Sequence, residues 1–376
     1  MLTAAEASLA TVIGDIETLV NIESPSRNAE QVHKSAVALR EITRRLLGRD
    51  AVLIDSAVGP HVHVPATSTP RILLLGHHDT VHPMGTLAER PFVNDDRVLR
   101  GPGVFDMKAG IVQALHAVAL LAEQGIDTSG IEILWTADEE IGSQTSRQLI
   151  EERALALGSD GAVFVVEPSA DGGALKIARK GTGTFDVRIT GRAAHAGLEP
   201  EKGVNALVEL AHQVQRIATF GDASKGTTVT PTVAEAGTTD NTVPAEARIL
   251  VDARVLFPEE KARVELLMSS LTTFLPEASI EVSGSLHRPP MHVSMAQELF
   301  DVAVQAARDI NGSTLAGVSV GGGSDGNFTA AIGVRTLDGL GAVGGGAHGP
   351  SEHVIVDTIA FRIALLGEVM QRVIAA

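Results

Sequence analysis

Hydrophobic runs in this chain repeatedly end in side chains that bind cations or move protons. Residues 73–85, LLLGHHDTVHPMG, deliver His77, His78 and His82 beside Asp79. IEILWTADEE ends in Asp138, Glu139 and Glu140, and GAVFVVEPS ends in Glu167. Asp106 sits in the glycine-flanked stretch GPGVFDMKAG, and His348 follows a glycine run in GGGAHGPSEH. Each is ordinary alone, since an acid after a strand commonly caps a helix. Together they are a set of His, Asp and Glu donors with no thiol, because the chain has no cysteine. Such donors suit a hard or borderline divalent cation such as zinc. The carboxylates suffice for two ions sharing a bridge, and paired ions about 3.5–4 Å apart are a hydrolytic device. The adjacent glutamates of ADEE allow a division of labour. One carboxylate can hold an ion while the other takes a proton from water whose pKa the ion lowers to about 7.

The elements that must position these groups are legible in the hydropathy. Helical periodicity predicts helices at about 3–21, 28–47, 107–124 and 144–156. Short apolar runs predict strands at about 71–76, 131–136 and 162–166. Strands separated by helices imply an α/β domain with helices on both faces of a mixed sheet, and open α/β sheets bind ligands at the carboxyl ends of their strands. Side chains alternate along a strand. If the strand conformation persists to its end, His77 and Asp79 face one way and His78 the other. A metal-ligating histidine usually donates its second ring N–H to a carboxylate or carbonyl, and Asp79 is placed to accept it or to orient the site near Glu139. His82 falls in the following loop, where it would line the substrate entrance.

The pattern changes near residue 175. Strands at 182–193, 227–236, 246–256 and 278–284 and helices at 203–220 and 258–275 give the order β-α-β-β-α-β, a ferredoxin-like arrangement. Helix–strand alternation then resumes up to a final helix at about 356–374. The expected organisation is a catalytic domain of residues 1–175 and 288–376, interrupted by an α+β domain at 176–287. The length of 376 residues supports two domains.

The bulk composition excludes other classes. A net charge of −16 disfavours nucleic-acid binding. No run approaches 18 uninterrupted apolar residues, so no membrane span is expected. The first twenty residues lack the pattern of a signal peptide, which makes the cytoplasm the expected compartment.

In order, the motifs GHHDTV, GPGVFDMKAG, ADEEIGS, VVEPS, AAHAG and GGGAHGPSEH resemble those of the di-zinc metallopeptidase family. That family contains aminoacylases, glutamate carboxypeptidases, succinyl-diaminopimelate desuccinylases and acetylornithine deacetylases. The resemblance implies two Zn2+ per subunit, with Co2+ or Mn2+ as substitutes. It implies His77, Asp106, Glu140, Glu167 and His348 as ligands, Asp106 as the bridge, Glu139 as general base beside Asp79, and a cis peptide between Asp106 and Met107. The inserted domain resembles a lid or dimerisation domain, which implies a homodimer. His195 would stabilise a developing oxyanion, and Asn241 and Arg254 would contact substrate. GGGSDGNFTAAIG resembles the glutamate carboxypeptidase branch. There Ser324 and Asn327 would line the substrate pocket, a role compatible with capping the helix that starts beside them. The implied reaction is hydrolysis of the amide bond of a small peptide, releasing a C-terminal amino acid. The alternatives are an N-acyl-amino-acid deacylase and, further off, a non-enzymatic binding relative.

Overall fold

The structure is a computed structural model that describes residues 1–375. The chain divides into two compact units. The first comprises Met1–Ala178, His292–Val320 and Ser324–Ala376, and the second Arg179–Met291 with Gly321–Gly323.

The first unit is built on a six-stranded mixed sheet. Its spatial order is Val52–Ile54, His61–Val64, Ile131–Thr136, Ile72–His77, Ala162–Val165 and Arg335–Leu337. The first two strands run antiparallel to their neighbours, and the last four are parallel. Ile72–His77 is buried at every position, as is Ile131–Thr136. A strand covered on both faces must read as a continuous apolar run, which is why these segments stand out in the sequence. Leu73, Leu75, Leu134, Val163 and Val165 pack with Ile150, Ala154 and Phe328 on one side. Helix Ala109–Glu123 packs against the terminal helix Val356–Ala375. The helical stretch Val104–Glu123 is long and apolar enough to cross a membrane, and almost all of it is buried inside the protein as a core element. The two strands at 52–64 went unpredicted: they are short, and HVHV offers no apolar run.

The second unit is a four-stranded antiparallel sheet ordered Thr228–Ala236, Glu246–Val255, Gly181–Thr190, Ser279–Arg288. This is the β-α-β-β-α-β arrangement expected from the sequence. Phe185, Val187, Ile189, Ile249 and Val251 meet Leu210, Ile217, Val264 and Met268 from the two helices. The first helix, Ala206–Ile217, starts later than its apolar periodicity implied. Asn205 Oδ1 accepts from Leu207 N at 3.0 Å and Val208 N at 3.2 Å, which fixes the start. The second helix, Pro258–Ser269, begins on a proline, whose ring suits a first turn. The glycine triplet groups with this unit because two of its arginines hold it. Arg179 donates to the Gly322 and Gly323 carbonyls at 3.2 and 3.0 Å, and Arg254 donates to Gly321 O at 3.0 Å.

Candidate metal centre

Three parallel strand ends deliver the acidic and imidazole groups to one place. His77 closes its strand in register with Thr136, and Glu139 and Glu140 follow Thr136 on a short helical turn, Glu139–Ile141. Glu167 follows Ala162–Val165 by two residues. Asp106 comes from Val104–Lys108, ahead of the core helix. The Asp106–Met107 peptide is cis, as the resemblance implies. Gly76 is explained by this loop: a Cβ there would lie 2.7 Å from Met107 Cε, and Met107 Sδ accepts from His77 N at 3.2 Å.

Asp106 stands between two groups of donors. Its Oδ1 lies 3.2 Å from His77 Nε2, which is itself 3.5 Å from Glu167 Oε1. Its Oδ2 lies 3.2 Å from His348 Nε2, which is 3.3 Å from Glu140 Oε1. Donor atoms of His77, Asp106 and Glu140 all fall within 4.8 Å of one another, as do those of His77, Glu139 and Glu167. A tetrahedral ion with bonds near 2.0–2.1 Å has ligand atoms about 3.3 Å apart. The observed separations match the edges of such a polyhedron and are long for charge-assisted hydrogen bonds. Glu140 Oε1 is buried and makes no hydrogen bond, although His348 Nε2 is near. An orphaned buried carboxylate oxygen facing imidazole nitrogens is what a cation site leaves when described by protein atoms alone. The residues therefore fit a pair of divalent ions bridged by Asp106.

The electrostatics agree. Burial alone would push His77 down, but the carboxylates of Asp106, Asp79 and Glu167 outweigh it and raise it well above the usual histidine range. Asp106 and Glu140 hold His348 up at about 10. Asp106 sits far below the ordinary carboxylate range, because His348 and His77 overcome its desolvation. Burial raises Glu140. His348 is also held at φ 64°, and Ser143 beside the glutamate turn at φ 55°. Both are left-handed conformations that non-glycine residues rarely adopt and that cluster at functional sites.

Asp79 is fully buried beneath the centre. Its carboxylate accepts from Ser26 Oγ at 2.6 Å, Glu139 N at 3.2 Å and Glu140 N at 3.3 Å, so it fixes the glutamate turn. The His77 ring meets the Asp79 backbone carbonyl at 3.0 Å, closer than the 3.4 Å to its carboxylate. His78 faces away, with its ring nitrogens 3.2 Å from Ser35 Oγ and 3.1 Å from Pro60 O. His82 does not line an entrance: it is buried, with Nε2 2.7 Å from Glu352 Oε2.

The side chains of Ser324 and Asn327 are both fully buried. Ser324 Oγ donates to Asp338 Oδ2 at 2.6 Å and accepts from Gly326 N at 3.1 Å, while Asn327 Oδ1 accepts from Ser324 N at 2.8 Å. These contacts lie at the start of helix Gly326–Ala331 and suit the capping role, which is compatible with the pocket role also expected for these residues.

Sequence reasoning missed the groups behind the glutamate turn. Asp325 accepts from Thr136 Oγ1 at 2.8 Å and from Ser143 Oγ. His61 Nδ1 accepts from Ala137 N at 3.1 Å, which leaves Nε2–H to face Thr145 Oγ1 at 3.2 Å. Thr145 in turn donates to Asp138. Only Asp138, inside the ADEE motif, carried any signal.

His195, Asn241 and Arg254 belong to the second unit. His195 is exposed, and its Nδ1 accepts from Gly197 N at 3.1 Å and Leu198 N at 3.2 Å, so the proton resides on Nε2. It pairs with Thr242 across a β-bridge, and Asn241 O accepts from Ala196 N at 2.9 Å. Arg254 is half-exposed, with Nε 3.0 Å from Asp252 Oδ1.

Imidazole and carboxylate groups gathered at the strand ends of an α/β sheet suit a metal-dependent hydrolase. Residues 73–372 match Peptidase family M20/M25/M40, and the chain belongs to that family. It is 34% identical over 363 residues to carboxypeptidase G2 of Pseudomonas sp. (strain RS-16), covering 94% of this chain and 86% of that one. It is 29% identical over 280 residues to succinyl-diaminopimelate desuccinylase 2 of Shewanella loihica, covering 69% and 73%. Among solved structures, aminopeptidase PepT of Bacillus cereus superposes with a TM-score of 0.78 at 24% identity, covering 97% of this chain and 99% of that one. The chain is thus a hydrolytic enzyme of the metallopeptidase type.

Proposed function

We propose that this enzyme hydrolyses the amide bond that releases a C-terminal amino acid, using two zinc ions that Asp106 would help to hold. The observation that carries this reading is Asp106 itself, whose two oxygens each face a different histidine at 3.2 Å. His77 and Glu167 would hold one ion and His348 and Glu140 the other. When bound, the ions acidify water and polarise the scissile carbonyl. Glu139 takes the proton of the attacking water and returns it to the leaving amine. Asp79 keeps Glu139 and Glu140 in register through their backbone amides. His195, with its proton fixed on Nε2, donates to the developing oxyanion. Asn241 contacts the substrate, and the Arg254 guanidinium receives the terminal carboxylate in exchange for its present partners Asp252 and Gly321. The likeness to carboxypeptidase G2 supports a carboxypeptidase substrate, and the second unit supplies the surface for a homodimer. The desuccinylase likeness favours a second reading, removal of an acyl group from an amino acid.

A panel of peptidyl and N-acyl amino acids, assayed with zinc, cobalt and manganese, separates the two readings. C-terminal glutamate substrates are expected to turn over fastest, and exclusive turnover of succinyl or acetyl substrates would favour the second. Glu139→Gln is expected to retain both ions while turnover falls by about 10²–10⁴-fold. Near-normal turnover in that variant would remove Glu139 as the base.

A further inference from the structure

The motif GGGAHGPSEH contains a second charged residue that the reaction leaves unused, Glu352. Its side chain is 2% exposed, and both oxygens are saturated. Oε1 accepts from Phe105 N at 2.9 Å and Asp106 N at 3.1 Å. Oε2 accepts from Gly103 N at 3.1 Å and from His82 Nε2 at 2.7 Å. Gly103 at φ 74° turns the loop so that these amides converge, forming a backbone nest for an anion. The occupant of the nest is a carboxylate that lies 246 residues from Asp106 in sequence.

His82 is poised to serve this carboxylate. Arg90 has one Nη 3.3 Å from His82 Nδ1 and the other donating to Gly349 O at 2.9 Å. Arg90 has no lone pair to offer, so His82 Nδ1 is the acceptor and Nε2–H points at Glu352. One connected network thus joins the loop after His77, the Asp106 loop and the His348 loop.

We infer that Glu352, oriented by His82, is a positioning residue for metal binding that holds the backbone of Asp106 so that its carboxylate faces both His77 and His348. It rests on the two-ion reading above. The carboxylate of Asp106 can bridge only if its backbone is fixed relative to both His77 and His348. Glu352 is four residues beyond His348 and bonds the amide of Asp106 directly. Groups that orient a ligand are typically worth about 10–100-fold in metal affinity or activity.

The test uses the full chain as wild type, Glu352→Gln, His82→Leu and His82→Gln, each stripped of metal and titrated with Co2+. Gln at 352 keeps the length but turns an N–H donor toward N–H groups. Gln at 82 restores an N–H near the position of Nε2, and Leu does not. Glu352→Gln and His82→Leu are expected to bind the weaker Co2+ about 10–100-fold less tightly and to alter its visible spectrum. They are also expected to exchange the amides of residues 103–106 faster while the central sheet stays protected, and to lower kcat with KM little changed. His82→Gln recovers most of each effect. Unchanged Co2+ affinity and amide protection in Glu352→Gln would overturn the inference. If that variant does not fold, wild-type Co2+ affinity in His82→Leu would overturn it. A wild type that takes up fewer than two Co2+ instead sinks the two-ion reading, and amide exchange then decides the role of Glu352 by itself.

Discussion

His77 and His78 are neighbours in sequence, and each is 1% exposed, yet they occupy opposite electrostatic worlds. His77 points to the strand-end carboxylates and is held well above the ordinary histidine range. His78 points to Ser35 and Pro60, and burial pushes it down to about 4. Equal burial therefore predicts nothing about charge here. The alternation of the strand decides it, by choosing which neighbours each ring meets. One face of the strand end is a site that demands positive charge, and the other is ordinary core.

The largest expected effect separates the two residues outright. His77→Ala should leave fewer than two ions retained after dialysis and lose at least as much turnover as Glu139→Gln. His78→Gln should keep full metal content, because its side chain lies on the other face. Loss of metal from His78→Gln with retention in His77→Ala would invert the comparison.

A smaller effect concerns protons. Neighbouring carboxylates hold His77 and His348 above the ordinary histidine range in the metal-free protein, His348 at about 10, and an ion needs neutral imidazoles. Loading both positions at pH 7 should release protons, measurable by calorimetry in buffers of different ionisation enthalpy. Affinity should rise with pH towards about 10, where His348 titrates. Binding without proton release would contradict the charge assignment.

The smallest effect is on stability. Unfolded His78 takes up a proton near pH 6.5, while the folded residue resists until about 4. Its contribution is present above 6.5 and is lost as pH falls through that window, by about 3 kcal/mol in total. His77 and His348, raised when folded, carry the opposite sign in the metal-free protein: their contribution is full below 6.5 and is lost at alkaline pH. Denaturant titrations of metal-free wild type and His78→Gln should therefore converge as pH drops from 6.5 to 4. A constant gap between them would refute the neutral, buried state of His78.

Where local pattern governs, the sequence was readable. The continuous apolar runs at 72–77, 131–136 and 162–165 announced covered strands, and their charged ends announced the site. The strict alternation of Gly181–Thr190 announced a half-covered sheet. What escaped were partners brought together by the fold. A glutamate in a loop gives no sign that it will accept three amides from a segment 246 residues away, and so Glu352 passed unnoticed. His82 does lie in a loop, but nothing local shows that it is buried against that same glutamate rather than lining an entrance. The glycine-rich turn of Ser324 and Asn327 serves a cap and a ligand equally well, and no local pattern announced the bond from Ser324 to Asp338.

The most direct test of the bridged centre is anomalous diffraction from crystals of the zinc-loaded enzyme. The expected result is two peaks about 3.5–4 Å apart astride the Asp106 carboxylate, one in contact with His77 and Glu167 and the other with His348 and Glu140. A single peak, or a peak on His78, would contradict it.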